Sequence, residues 1–275
     1  MAKKYRRRRT SSRPRGRQVS SRKVDQWFYE LEEALRDESF EEAKQLTRKI
    51  LRNIPRDSEA GLDALNHLAT TLGMLHEYAA AYKVLSEAIE LDPERSEFWY
   101  NRALSAIYTA RTGQALRDLE RAIALEQDKR VLRVYQEKLD FFRRAVNQDI
   151  ALRGPDFTLE QLIEQQAVFN QGMALLEEER YEEAEPLFKQ VIEMGDVLPQ
   201  PWANLAGCYM AQERYDEAEA ALKRALEIDP TYDVALQNLL KMPYIREHGI
   251  DALEKRIRSP FKETPLPHTI TMIEE

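Results

Sequence analysis

At 275 residues, with 43% apolar and 32% charged side chains, the chain has the length for one or two globular domains and a sizeable core. Its single cysteine, Cys208, excludes an internal disulfide framework and favours a reducing compartment, and no run approaches the roughly 18 apolar residues of a membrane span. The net charge of -7 is unevenly divided: residues 1–23 hold 11 Lys or Arg and no acid, while the remaining 252 carry 30 basic and 48 acidic side chains.

The basic segment has almost nothing apolar to bury and is predicted to be disordered when free. Its arginines, Arg6, Arg7, Arg8, Arg9, Arg13, Arg15 and Arg17, suit either a solvated tail resting on the acidic body or contact with nucleic acid through counterion release. It lacks the apolar face of a transit peptide, and no apolar stretch of a secretory signal follows it. A soluble, cytoplasmic protein is therefore expected.

Order is predicted from Val24. Trp27, Leu31, Phe40, Ala43, Ile50 and Pro55 frame a first helical pair over 24–57, and Leu65, Leu68, Ala69, Leu72, Tyr78, Ala81, Leu85, Ala88 and Pro93 a second over 62–95. The interval from Ala43 to Ala81 is longer than that from Ala81 to Ala115, which predicts about four extra residues in the intervening turn. A third pair, 96–129, has Trp99, Ala103, Ala115, Leu119 and Ala122, with Arg102 and Gln127 at positions where Leu and Pro would complete the pattern. Between 130 and 164 the repeat fails: Leu132, Tyr135, Leu139, Phe142, Val146 and Ile150 predict one longer helix, ended by Gly154-Pro155, that closes the first half or forms a homodimer seam. Thr158-Leu159-Glu160-Gln161 has the form of a capping box opening the next helix. A fourth pair over 165–198 carries Gly172, Leu175, Tyr181, Ala184, Phe188 and Val191, with Asp196 in a proline's place and a less sharp helix end expected.

Residues 199–232 are the most regular. Trp202, Leu205, Ala206 and Tyr209 precede a turn placed at Tyr215-Asp216-Glu217, then Ala218, Leu222 and Ala225 lead to the helix-stopping Asp229-Pro230. This succession of Trp, Leu, small, Tyr, Ala, bulky, Ala and Pro resembles the tetratricopeptide repeat family. The resemblance implies an all-α solenoid of helical hairpins, about five repeats in two halves (24–152 and 156–258), with capping helices. Two closing helices, separated near Pro243 and Gly249, and an extended tail from Ser259 complete the chain.

Little in the chain is equipped for catalysis. The four histidines are scattered, no phosphate loop or nucleophile elbow is present, and no metal, cofactor or catalytic residue is expected. The resemblance instead places a protein or peptide partner on the concave face lined by first helices. There the frame puts Tyr100, Asn101, Tyr108, Phe169, Asn170, Met173, Asn204, Met210 and Asn238. The four asparagines recur at one equivalent position and could bond an extended backbone; a clamp for a terminal carboxylate is disfavoured because Asn66, Thr70, Glu97 and Gln200 stand at the places that need Lys or Arg. The expected function is a non-enzymatic interaction scaffold. The alternative reading is a nucleic-acid or ribosome-associated protein anchored by the basic tail.

Overall fold

The computed structural model describes residues 20–249. Among these residues there are twelve α-helices and no strand: α1 (Ser21–Arg36), α2 (Phe40–Leu51), α3 (Glu59–Met74), α4 (Tyr78–Leu91), α5 (Ser96–Ile107), α6 (Thr112–Leu125), α7 (Lys129–Arg153), α8 (Leu159–Glu177), α9 (Tyr181–Met194), α10 (Pro199–Ala211), α11 (Tyr215–Ile228) and α12 (Asp233–His248). The chain divides between Asp92 and Pro93 into two compact units. In each, consecutive helices form antiparallel hairpins, and a hairpin's second helix packs on the first helix of the next, the packing mode of an all-α helical-repeat solenoid.

Close approach within a hairpin rests on small residues. Ala43, Ala81, Ala115, Ala184 and Ala218 are all 0% exposed, and each occupies the same place near the start of a second helix. In the fourth hairpin the facing small residue is Gly172: a Cβ there would sit 3.0 Å from Phe188 Cε1, so the missing side chain leaves room for a fully buried phenyl ring. Gly61 is more constrained still. A Cβ on it would lie 2.1 Å from the Pro55 carbonyl oxygen, because the lengthened α2–α3 turn lies directly against α3.

All five hairpin turns share one backbone device. Glu38, His76, Ala110, Glu179 and Glu213 adopt φ between 51° and 60°, and the next residue donates its N–H to the carbonyl five positions back, as in Ser39 to Ala34 (2.8 Å) and Arg214 to Tyr209 (2.9 Å). This is a Schellman-type helix end built without glycine, which satisfies terminal carbonyls at the expense of left-handed strain. The turn in the fifth hairpin therefore lies at Gln212–Arg214. Tyr215-Asp216-Glu217, expected as the turn, is already the first turn of α11, where the two carboxylates complement the helix N-terminus.

The two irregularities of the third hairpin have specific compensations. Arg102, where Leu was the pattern, lies with its guanidinium carbon 5.0 Å over the Trp99 ring and donates Nε and Nη2 to Asp118 on α6 at 2.7 and 2.8 Å. Asp118 is completely buried and also accepts from Gln114 (2.7 Å). At the helix end, Glu126 takes over from the missing proline. Its carboxylate accepts the N–H groups of Gln127 (2.9 Å) and Asp128 (2.8 Å), and the hydrogen bond from Ser96 leads the causes that hold it below the usual carboxylate range.

Asp196 makes a comparable substitution between α9 and α10. In the third hairpin, Trp99 Nε1 donates to the Pro93 carbonyl, six positions earlier, at 2.8 Å; in the fifth, Trp202 Nε1 donates to the side chain of Asp196, again six positions earlier. The carboxylate also receives Arg224 Nη2 at 2.7 Å. Trp202 itself is half-buried, with its ring packed against the surrounding apolar cluster.

α7 is the single long helix that the apolar stripe predicted, ending at Gly154, with Tyr135, Phe142 and Val146 buried. α8 opens on the expected capping box, Thr158 accepting from Gln161 N–H while the Gln161 side chain accepts from Thr158 N–H. The closing region differs from expectation. α12 passes through Pro243 without a break and stops at Gly249, whose φ of 79° lies in the left-handed region. The second closing helix and the extended tail were expected beyond residue 249, outside the described residues.

Candidate functional site

In unit 1, α1 and the start of α3 border an open groove of about 550 Å³, lined by Asp25, Phe28, Tyr29, Glu32, Glu59, Ala60 and Asp63. Helical spacing on α1 places 25, 28, 29 and 32 on one face, while the opposite face carries Trp27, Leu31 and Ala34 into the core. Phe28 is anchored by an aromatic contact with His67 on α3, ring centroids 6.2 Å apart. Tyr29 is 60% exposed, with its hydroxyl donating to Glu33 at 2.7 Å. The groove thus combines two aromatic side chains with a carboxylate rim. The acidic rim was not foreseen, because it needs residues 25–32 and 59–63 to be brought together.

In unit 2, the expected groove residues are drawn largely into internal packing. Tyr100 stacks on Tyr135 of α7, centroids 4.2 Å apart and planes 18° from parallel, and burial raises both phenol pKa values. Phe169 meets Phe188 edge-on at 6.0 Å, and Met210 is buried. Asn170 donates to the Gln166 carbonyl at 2.8 Å and to Ala110 at 3.4 Å. Asn204 is 0% exposed and donates to the Met173 sulfur at 3.2 Å; Asn238 is also buried, whereas Asn101 is half-buried. Tyr108, at the α5 terminus, is 52% exposed. Two amide oxygens one turn apart on α10, Gln200 Oε1 and Asn204 Oδ1, are buried and accept no hydrogen bond. The basic residues expected to meet a polyanion, Arg6 through Arg17, lie outside the described residues.

A polar junction joins α6, α7, α8 and α9. Gln166 accepts from Gly113 N–H (3.1 Å) and donates to Thr112 Oγ1 (2.7 Å), which in turn donates to Asp149. Arg153 donates to the Asp149 carbonyl (2.6 Å) and to buried Gln165, whose amide reaches the Val191 carbonyl at 3.1 Å. Burial lowers the Arg153 pKa. Apart from the bond from Arg153 to the Asp149 carbonyl within α7, these contacts join different elements of the fold, and no residue among them showed a motif by which sequence reading could have found it.

Cys208 is buried, and desolvation pushes its thiol up to about 12, far from a thiolate nucleophile. Among the described residues, no group of His, Cys, Asp and Glu could hold a metal ion, and no helix is long and apolar enough to cross a membrane.

One acidic cluster does couple to stability. Glu185 on α9 accepts from Lys189 (2.6 Å), Gln212 (3.0 Å) and Arg214 (2.7 Å). Burial pushes its pKa up, but these three donors outweigh that and hold it below the usual range; Asp196 is lowered in the same way by Trp202 and Arg224 against its own desolvation. Both folded values lie below the unfolded values of about 4.3 and 3.9. The associated stability is therefore present above those values and lost as pH falls through the folded ones. In urea titrations between about pH 5 and pH 2, Glu185→Gln is expected to flatten the acid limb of unit 2 unfolding; an unchanged slope would contradict the linkage.

Residues 175–242, from the end of α8 into α12, match the family model described as Tetratricopeptide repeat. No curated protein matches the chain. Among solved structures, the chain is similar to MamA residues 41-end from Desulfovibrio magneticus RS-1 (15% identity, 77% of this chain and 97% of that one, TM-score 0.34). It is also similar to YrrB, described as a TPR protein with an unusual peptide-binding site (19%, 70% and 96%, TM-score 0.31), and to the TPR2AB domain of yeast Sti1 in complex with pHSP90 (15%, 82% and 84%, TM-score 0.38).

Proposed function

We propose, for a chain that belongs to the tetratricopeptide repeat family, a non-enzymatic scaffold that holds a protein segment against the exposed faces of its first helices. The observation that carries this reading is the unit 1 groove. It is an open surface hollow that presents aromatic side chains as anchors beside carboxylates that set the sign of the occupant.

The test uses exposed anchors, because Tyr100 and Phe169 are committed to packing within unit 2. Tyr29→Ala combined with Tyr108→Ala leaves the cores untouched and is expected to lower retention of proteins captured by the full chain about tenfold, the factor that about 1.4 kcal/mol carries. Retention unchanged by both substitutions, measured by quantitative mass spectrometry, would show that these helix faces do not bind the segment.

A further inference from the structure

The groove of unit 1 and the basic residues that precede it are opposite in charge and adjacent in the chain. α1 begins at Ser21, Asp25 stands one turn inside it, and Glu32 lies two turns further along the same face. The segment ahead of Ser20 contains nine Lys or Arg and no acid. Within it the run Arg13-Pro14-Arg15-Gly16-Arg17 has a periodicity of its own: arginine at every second position, with a proline that disfavours helix. In an extended chain such residues all point to one side.

We infer that residues 1–19 fold back along the groove between α1 and α3, so that the chain's own arginine segment is its resident occupant and a partner must displace it. The lengths agree. Asp25 to Glu32 spans about 10 Å of helix, which roughly three to four extended residues cover, so a reversal near positions 18–20 lays Arg17, Arg15 and Arg13 alongside the rim in succession. Arginine suits this surface twice over: its guanidinium pairs with carboxylates, and its planar face stacks on aromatic rings such as Phe28 and Tyr29. The inference rests on the reading of the groove as a peptide-binding surface, and it adds that binding there is competitive with the tail.

The test uses the full chain with Ser12→Cys carrying a nitroxide; Cys208, buried and with its thiol raised to about 12, leaves position 12 as the reactive thiol. Paramagnetic broadening is expected at the amides of Phe28, Glu32, Ala60 and Asp63. It should be strong at about 0.01 M salt and largely lost at about 1 M, where the screening length falls from about 30 Å to about 3 Å. Asp25→Lys with Glu32→Lys should abolish it, and adding Arg13→Glu, Arg15→Glu and Arg17→Glu to that variant should restore it. The charge-reversed tail alone, which alters no described residue, should also lose the contact.

Broadening that is absent, that spreads evenly onto other acidic faces such as Glu177, Glu178, Glu182 and Glu183, or that ignores charge reversal would overturn the inference. So would a tail that engages added RNA but never broadens the groove amides in its absence. Loss of the tail contact with Tyr29-dependent partner capture intact would remove the self-occupied state alone; loss of that capture would remove the binding reading beneath it.

Discussion

Asp118→Ala is expected to destabilise unit 2 by about 3–5 kcal/mol, the range for removing one partner of a buried ion pair. The reason is the position of Arg102. Its side chain is 12% exposed, held over Trp99 and bonded through two nitrogens to a carboxylate that is 0% exposed. Without Asp118 the guanidinium remains in the hairpin interior without the buried carboxylate that its Nε and Nη2 bond, and Gln114 loses its acceptor. The double replacement Arg102→Leu with Asp118→Leu separates this mechanism from a simple cavity. Because it removes both charges and installs the apolar residue of the repeat pattern, it is expected to recover the loss and to reach or exceed wild-type stability. Thermal unfolding of the two variants, compared with wild type, decides the matter. Equal destabilisation by the single and double changes would mean that packing volume, not charge, governs this crossing.

Phe188→Ala carries the second large effect, about 3–5 kcal/mol. Phe188 is 0% exposed, packs edge-on against Phe169, and fills the space left by the missing side chain of Gly172. Its loss opens a cavity between α8 and α9 that neighbouring alanines cannot fill. Gly172→Ala in the Phe188→Ala background is the informative companion, because the added methyl then enters vacant space instead of meeting a ring at 3.0 Å. It should recover part of the loss, while the same substitution in wild type should destabilise. Urea midpoints for the four chains of this cycle would contradict the argument if the added methyl had the same effect in both backgrounds.

The hairpins themselves were legible in the residues. Large side chains at helical spacing, opposed by alanines that return at a nearly constant interval, admit few arrangements other than paired helices crossing closely, and the capping box at Thr158 and the end of α7 at Gly154 followed from local chemistry. The turns were harder to place, because the left-handed residue in each is Glu, His or Ala in place of the usual glycine. Arg102 looked like an intrusion until Asp118, on the other helix of its hairpin, came to face it.

The site was less legible than the scaffold. A repeat frame assigns a side chain to the inner face of its own helix, but not to the occupant of that face. Tyr100 was correctly placed on a first helix, yet α7 departs from the repeat and lays Tyr135 against it. In the same way Asn170 and Asn204 reach acceptors within the chain.

Sequence alone determined the helical periodicity, the small residues that permit close crossing, and the basic segment with its alternating arginines, because each depends on residues near one another in the chain. Tertiary structure decided which inner faces are filled and which remain open. It also brought the carboxylates of α1 and α3 together around Phe28 and Tyr29. The physical reason is that burial and electrostatic field at a point are set by every element packed nearby, and local spacing constrains only one of those elements at a time.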